Sequence, residues 1–247
     1  MSQLYKGAFY SSRREMTLAA ARRILGIVGR LVEVGSAVDL GCGTGTWLSV
    51  AKERGATEVL GFEGHWLRDD AVDDPAITIL RQDLEAPIRL ERRFDLAISL
   101  EVAEHLGPAR AESFVEDLCR ASDVVLFAAA VPGAGGKGHS NEQWQSYWAE
   151  KFAARGYVAV DAIRPEIWDD PAIPYWYRQD AILYLAPAAA AKLNGAITPV
   201  ANLKSLDSVH PELYLQVDIK RQLRAAALIP RAAMDYLARK LRARPGA

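Results

Sequence analysis

From about residue 36 to 186, short apolar and β-branched runs alternate with longer segments of helical period, the pattern of a parallel sheet joined by crossover helices. The runs predict seven strands: Ala37–Leu40, Glu58–Glu63, Ile77–Asp83, Phe94–Leu100, Asp123–Val131, Tyr157–Ile163 and Ala181–Leu185. Between them the spacing predicts helices near 45–55, 65–71, 109–121 and 141–155. Gly55 and Gly156 are placed to end two of these, because glycine tolerates the left-handed conformation just past a helix terminus. Ahead of this α/β core, residues 13–34 read as one or two amphipathic helices, preceded by a Tyr-rich start with Tyr5, Phe9 and Tyr10. A packing role is favoured there over that of a lid. Behind the core, 188–247 forms an extension in which Ile219–Arg244 resumes a helical period, with eight Lys or Arg against the single Asp235. The organisation is thus a helical segment over 1–35, a core over 36–187 and an extension with a basic helix over 188–247.

Composition narrows this picture. A chain of 247 residues, half of them hydrophobic, buries roughly 70% of its unfolded surface and supports one sizeable α/β domain. Thirty Lys and Arg against 31 Asp and Glu leave a net charge of -1, so no global field draws in DNA or an anionic membrane. The basic C-terminal helix reads equally as a solvated face, a homodimer contact or a docking element for a surface. Cys42 and Cys119 sit in or beside apolar runs and form no spaced framework, which fits a reducing cytoplasm. No apolar run approaches the length of a membrane span.

The chemistry starts at Val38-Asp39-Leu40-Gly41-Cys42-Gly43-Thr44-Gly45, a strand end followed by three glycines. These let the backbone turn sharply, approach a ligand and open a helix whose first amides favour negative charge. The dinucleotide fingerprint puts glycine three places after its second one; here that place holds Thr46, which disfavours a nicotinamide or flavin. Glu63 closes the second strand, where an acid can accept from both hydroxyls of a ribose, and Asp83 follows the third, where it can accept from an adenine amino group.

In these positions the chain resembles class I S-adenosylmethionine-dependent methyltransferases, which implies a Rossmann-like, seven-stranded, mostly parallel sheet with flanking helices over about residues 36 to 186. The resemblance implies that Asp39, Gly41, Gly43, Gly45, Glu63 and Asp83, with Leu84 and Leu100 beside them, hold S-adenosylmethionine.

Downstream, Glu101-Val102-Ala103-Glu104-His105 places two carboxylates and an imidazole at i, i+3 and i+4, on one face if the segment is helical. A divalent ion accepts that donor set, and His139 can supply a fourth ligand. The ExxEH spacing resembles the metal-dependent O-methyltransferases of ubiquinone synthesis and the enzymes that methylate the terminal 2'-hydroxyl of small RNAs. It implies Glu101, Glu104, His105 and His139 as ligands of Mg2+ or Mn2+. Without a metal, His139 or His105 is the candidate general base, with Glu142 beside it.

A glycine-rich loop, Pro132-Gly133-Ala134-Gly135-Gly136-Lys137-Gly138, leads into a stretch where nine of the chain's 21 aromatic residues fall between Trp144 and Tyr177. Aromatic faces stack on sugar rings while amides and guanidinium groups read hydroxyls. That makes Asn141, Gln143, Trp144, Arg164, Trp168 and Tyr177 the candidate acceptor contacts. The run His139–Leu185, with Val209-His210-Pro211-Glu212-Leu213-Tyr214 beyond it, resembles methyltransferases of bacterial polysaccharide and glycan synthesis. Sugar O-methylation is the expected activity on that basis. Methylation of an RNA 2'-hydroxyl or of a natural product, and a non-catalytic cofactor-binding protein, remain the alternatives.

Overall fold

The computed structural model describes residues 7–193, 197–217 and 219. The basic helix expected over Ile219–Arg244 lies almost wholly outside the described residues, as does Tyr5. Two compact units are present, 1–208 and 209–247; in the second, residues 211–217 are helical.

In the first unit the elements run α1 (Gly7–Leu31), β1 (Ser36–Leu40), α2 (Thr46–Glu53), β2 (Glu58–Glu63), β3 (Thr78–Arg81), β4 (Leu96–Leu100), α3 (Ala111–Ala121), β5 (Val124–Ala128), α4 (Gln145–Ala153), β6 (Val158–Val160), α5 (Arg164–Ile167), α6 (Tyr175–Asp180), β7 (Ile182–Leu185) and α7 (Pro187–Lys192). The seven strands form one sheet in the order β3-β2-β1-β4-β5-β7-β6, with β7 antiparallel to both neighbours and the other pairings parallel. This is the Rossmann-like, seven-stranded, mostly parallel sheet that the resemblance implies. Its strand order reverses between β1 and β4, and in such sheets the ligand crevice opens at the carboxyl ends of the two strands flanking that reversal.

Every residue of β1, β4 and β5 is buried, because helices cover both faces of the sheet. Side-chain alternation sends Leu96, Ile98 and Leu126 to one core, and Val38, Leu40, Val125 and Phe127 to the other. The first core includes Ala20, Ala21, Ile24, Ile27 and Val28, which recur at helical spacing along α1. In the second, Trp148 and Phe152 turn inward from α4, and Phe152 stacks on Tyr184 at 3.9 Å between ring centroids.

Several expected elements are shorter. The strands expected over Ile77–Asp83, Asp123–Val131 and Tyr157–Ile163 are trimmed at both ends, where the flanking residues fall outside the paired ladder. The helix expected at 65–71 is a 3-10 turn at Asp69–Ala71, and the ExxEH segment, read conditionally as helical, forms only a 3-10 turn at Ala103–His105. No helix among the described residues is long and apolar enough to cross a membrane.

A buried ion pair anchors one crevice loop. Arg110 and Asp117 are 4% and 1% exposed and hydrogen-bonded to each other. Arg110 also donates to the carbonyls of Leu84 and Ala86 at 2.9 and 3.1 Å, and Asp117 accepts from the Ile88 amide at 2.9 Å. Asp117→Ala strands a buried guanidinium and is expected to cost about 3–5 kcal/mol in urea unfolding. A loss under about 1 kcal/mol would show that the pair does not hold this loop.

Candidate active site

At the carboxyl end of β1 the chain makes a tight approach to the residue that follows Glu101. Gly41 has φ +94°, and a methyl group there would lie 2.4 Å from Cγ2 of Val102, so only glycine fits. Gly43 follows at φ +56°, and its amide donates to Glu63 at 2.7 Å; the Gly64 amide donates to the other Glu63 oxygen at 2.7 Å. The end of β2 therefore pins the turn after β1. Burial raises the Glu63 carboxyl above the usual range, opposed by those two amides. One lone pair on each oxygen remains for a ligand hydroxyl.

A cavity of about 930 Å3 opens over this turn. Gly41, Gly43, Glu63, Asp83, Leu84 and Leu100 line it. Asp39 and Gly45 are not among its lining residues: Asp39 is 2% exposed inside β1, level with Gly61 and Ile98, and Gly45 faces the side chains of Ile77 and Ile79. These two shape the turn from beneath. Arg14 and Thr17 of α1 and Trp47 of α2 also line the cavity, and Arg14 pairs with Asp73 at 2.9 Å while Asp73 is bonded to Thr46. Nothing in the local sequence marks Arg14, since its place depends on how α1 packs.

The second wall begins at Glu101, the one non-glycine residue among the described with positive φ, +59°. Glu104 is 1% exposed, and neither oxygen of its carboxylate has a hydrogen-bond partner. Its carbonyl accepts from the amides of Ser140 and Asn141 at 2.8 and 3.0 Å, which brings the distant His139 alongside. The rings of His105 and His139 meet edge to face at 4.7 Å. One ligand atom each from Glu104, His105 and His139 fall within 4.8 Å of one another. Glu101 lines the same cavity outside that triad.

Burial pushes the Glu104 carboxyl well up, reinforced by the charges of Glu101 and Asp180. Burial and the neighbouring His139 hold His105 down at about 4, so its imidazole is neutral and able to ligate. His139 Nδ1 lies 2.8 Å from Glu142 Oε1, and the Glu142 carboxylate also accepts from the amides of Gly133 and Gly135, each at 2.8 Å. Glu142 does not line the cavity. It orients His139 and folds the glycine-rich loop from behind.

Of the expected acceptor contacts, Tyr177 lines the cavity and the other five do not. Arg164 is 5% exposed, paired with Asp161 and donating to the Leu206 carbonyl at 2.7 Å. Asn141 is buried and accepts from Gln143, Trp144 is 40% exposed beside α4, and the Trp168 carbonyl accepts from Arg178. In their place Tyr175, Trp176, Gln179 and Asp180, all on α6, join Tyr177.

A Rossmann-like sheet with this pinned glycine turn defines a nucleotide-type donor site of the methyltransferase class. Residues 12–158, more than half of the chain, match the sequence model of the family described as "Methyltransferase domain". The chain belongs to that family and is an S-adenosylmethionine-dependent methyltransferase. No curated protein sequence matches it. Among solved structures, it is similar to a chain in the complex between the Haloferax volcanii Trm112 methyltransferase activator and the putative methyltransferase, at 17% identity over 73% of this chain and 97% of that one, TM-score 0.53. It is also similar to Streptomyces venezuelae DesVI, at 23% identity over 52% of this chain and 58% of that one, TM-score 0.43. Magnesium protoporphyrin IX methyltransferase from Synechocystis PCC 6803 with bound SAH gives 18% identity over 70% of this chain and 83% of that one, TM-score 0.48. At these identities the likeness is one of fold.

Glu104→Gln tests the electrostatic reading in metal-free protein. A carboxyl whose folded pKa is raised contributes stability that is complete below its unfolded pKa and lost as pH rises through the folded value. The variant is therefore expected to unfold at higher urea than the parent at pH 8, with the gap closing toward pH 4. A destabilised variant at pH 8 would show that an unseen partner compensates the carboxylate.

Proposed function

We propose that the chain transfers the methyl group of S-adenosylmethionine to a hydroxyl of a sugar or oligosaccharide, at a divalent-ion site formed by Glu104, His105 and His139. The observation that carries this reading is the convergence of those three side chains on the cavity wall beyond the donor turn, with the buried Glu104 carboxylate unpartnered. An uncompensated carboxylate costs several kcal/mol in such a place, and the two imidazoles beside it complete a donor set suited to a borderline divalent ion, Mn2+ better than Mg2+. When bound, the ion polarises a coordinated hydroxyl and lowers its pKa.

The protein's own groups do the rest. The Gly41–Gly43 turn and Glu63 fit the donor's ribose and amino-acid portions, Asp83 and Leu84 its adenine side, and Arg14 offers a cation for its carboxylate. Glu142 holds the Nδ1 side of His139, leaving Nε2 as the ligating atom, the usual relation of a carboxylate to a metal-bound histidine. Tyr175, Trp176 and Tyr177 present aromatic faces on which a pyranose ring stacks, and the amide of Gln179 stands among them. Holding donor and hydroxyl in line supplies most of the acceleration.

Labelled-methyl transfer to neutral oligosaccharides, with RNA oligonucleotides in parallel, tests the acceptor; label in RNA or protein and none in sugar would overturn it. Exhaustive chelation is expected to lower turnover about a hundredfold, with recovery on adding Mg2+ or Mn2+. Glu142→Gln is expected to weaken metal affinity about 10- to 100-fold while leaving donor binding intact. Full activity in chelated enzyme removes the metal from the reading and leaves His139 as the base.

A further inference from the structure

The cavity holds more negative charge than the metal triad uses. Asp180, at the end of α6, is 3% exposed and lines the cavity, with its carboxylate held by side-chain amides of Gln145 at 2.9 Å and Gln179 at 3.0 Å. Glutamine amides orient a carboxylate without neutralising it. Glu101 lines the same cavity; burial first, and then the charge of Glu101, raises the carboxyl of Asp180 and the hydroxyl of Tyr177. Of the nearby cations, Arg164 is paired with Asp161 at 2.7 Å and Arg14 with Asp73 at 2.9 Å, while Lys137 lines the same cavity.

Two contacts set this acidic wall beside the donor turn rather than at the far end of the cavity. Glu101 is followed by Val102, whose side chain closes against Gly41. Tyr177, three residues before Asp180, meets Trp47 of the first turn of α2 edge to face, with ring centroids 5.4 Å apart. Aromatic faces and carboxylates together suit an organic cation. The buried carboxylate of Glu104 lies in the same wall, and the charge of Asp180 bears on it.

We infer that Asp180, with Glu101, supplies the countercharge that makes the site prefer the positively charged sulfonium donor to the neutral thioether left after transfer. In transfer the acceptor oxygen's lone pair forms the new C–O bond and the S–CH3 bond breaks. Its electron pair stays on sulfur, and the hydroxyl proton leaves for solvent, so the donor loses its positive charge. A wall of fixed carboxylates loses its attraction at that moment, which favours exchange of product for fresh donor. Asp180 is a specificity residue for the donor on this account, and the inference rests on the donor reading of the cavity but not on the sugar or metal readings.

Calorimetric titration of the full chain in EDTA with S-adenosylmethionine, S-adenosylhomocysteine and sinefungin, which carries an amine in place of the sulfonium methyl, tests it without turnover. Asp180→Asn is expected to weaken the two cationic ligands about tenfold and S-adenosylhomocysteine less than about twofold, as loss of one partly buried charge contact requires. Retained binding of the thioether doubles as the check that the variant folds, and Glu101→Gln, expected to act in the same direction, stands in if it does not. Equal weakening of all three ligands, or no change in any, overturns the inference. Failure of the parent protein to bind any of the three overturns the donor reading with it.

Discussion

Val102 closes against the bare backbone of Gly41 at the floor of the crevice, and most of the site depends on that contact. The two residues lie just beyond the carboxyl ends of β1 and β4, the strands flanking the reversal of strand order. Because Gly41 carries no side chain and takes a positive φ, the Val102 side chain closes over it, and the two strand ends meet. Behind them, the Ser99 hydroxyl donates to the Leu40 carbonyl at 2.9 Å, so the pair of strands is fastened on both sides of the crevice floor. The donor turn and the acid-histidine turn are thereby held as neighbours, and a group seated on one is presented to the other. That juxtaposition is what an in-line transfer needs from a scaffold.

The same closeness makes the site costly to fold. Glu101, Glu104 and Asp180 gather on one wall, two of them almost wholly buried, and the left-handed backbone at Glu101 adds strain. Structural ion pairs elsewhere in the protein are compensated: Asp117 meets Arg110, Arg120 and the Ile88 amide. Glu104 meets none of these. A fold that satisfies its buried charges outside the crevice and leaves the Glu104 carboxylate without a hydrogen-bond partner within it has a stability deficit where ligands bind, as expected of electrostatic preorganisation.

How much of this is legible in the sequence follows from how local each signal is. The sheet was, because β1, β4 and β5 are short, mostly apolar runs bounded by glycine and polar turns, and Glu63 was, because an acid ending the second strand sits at a fixed distance from the glycine turn. The grouping of Glu104 and His105 with His139 also has a sequence signature in the ExxEH spacing, although the segment closes into a single 3-10 turn and not a helix. The acceptor side was much less legible. Aromatic enrichment after His139 says nothing of direction, and α4 spends Trp148 and Phe152 on the core while Trp144 stands outside. Arg164 looked like a substrate contact by residue type, but its guanidinium is consumed by Asp161 and by the carbonyls of Gln179 and Leu206. Asp180 and Arg14 carry no local mark at all, since only the packing of α6 and α1 brings them to the cavity.

Behind the acid-histidine wall stands Glu142, and its contacts explain why a loop so rich in glycine still presents a defined surface. One carboxylate accepts from the amides of Gly133 and Gly135 and meets His139 Nδ1, so the loop and the histidine share a single anchor. The glycines at 133, 135 and 138 all take positive φ, conformations that side chains would resist, and the carboxylate selects this one arrangement from the many that glycine permits. Gly136 then packs against the His139 ring, where a methyl group would lie 2.1 Å from Nε2. Any change at Glu142 is therefore felt at the imidazole and at the cavity rim together. The flexible-looking segment and the triad form one unit, and the cavity's acceptor side is set by a residue that does not touch it.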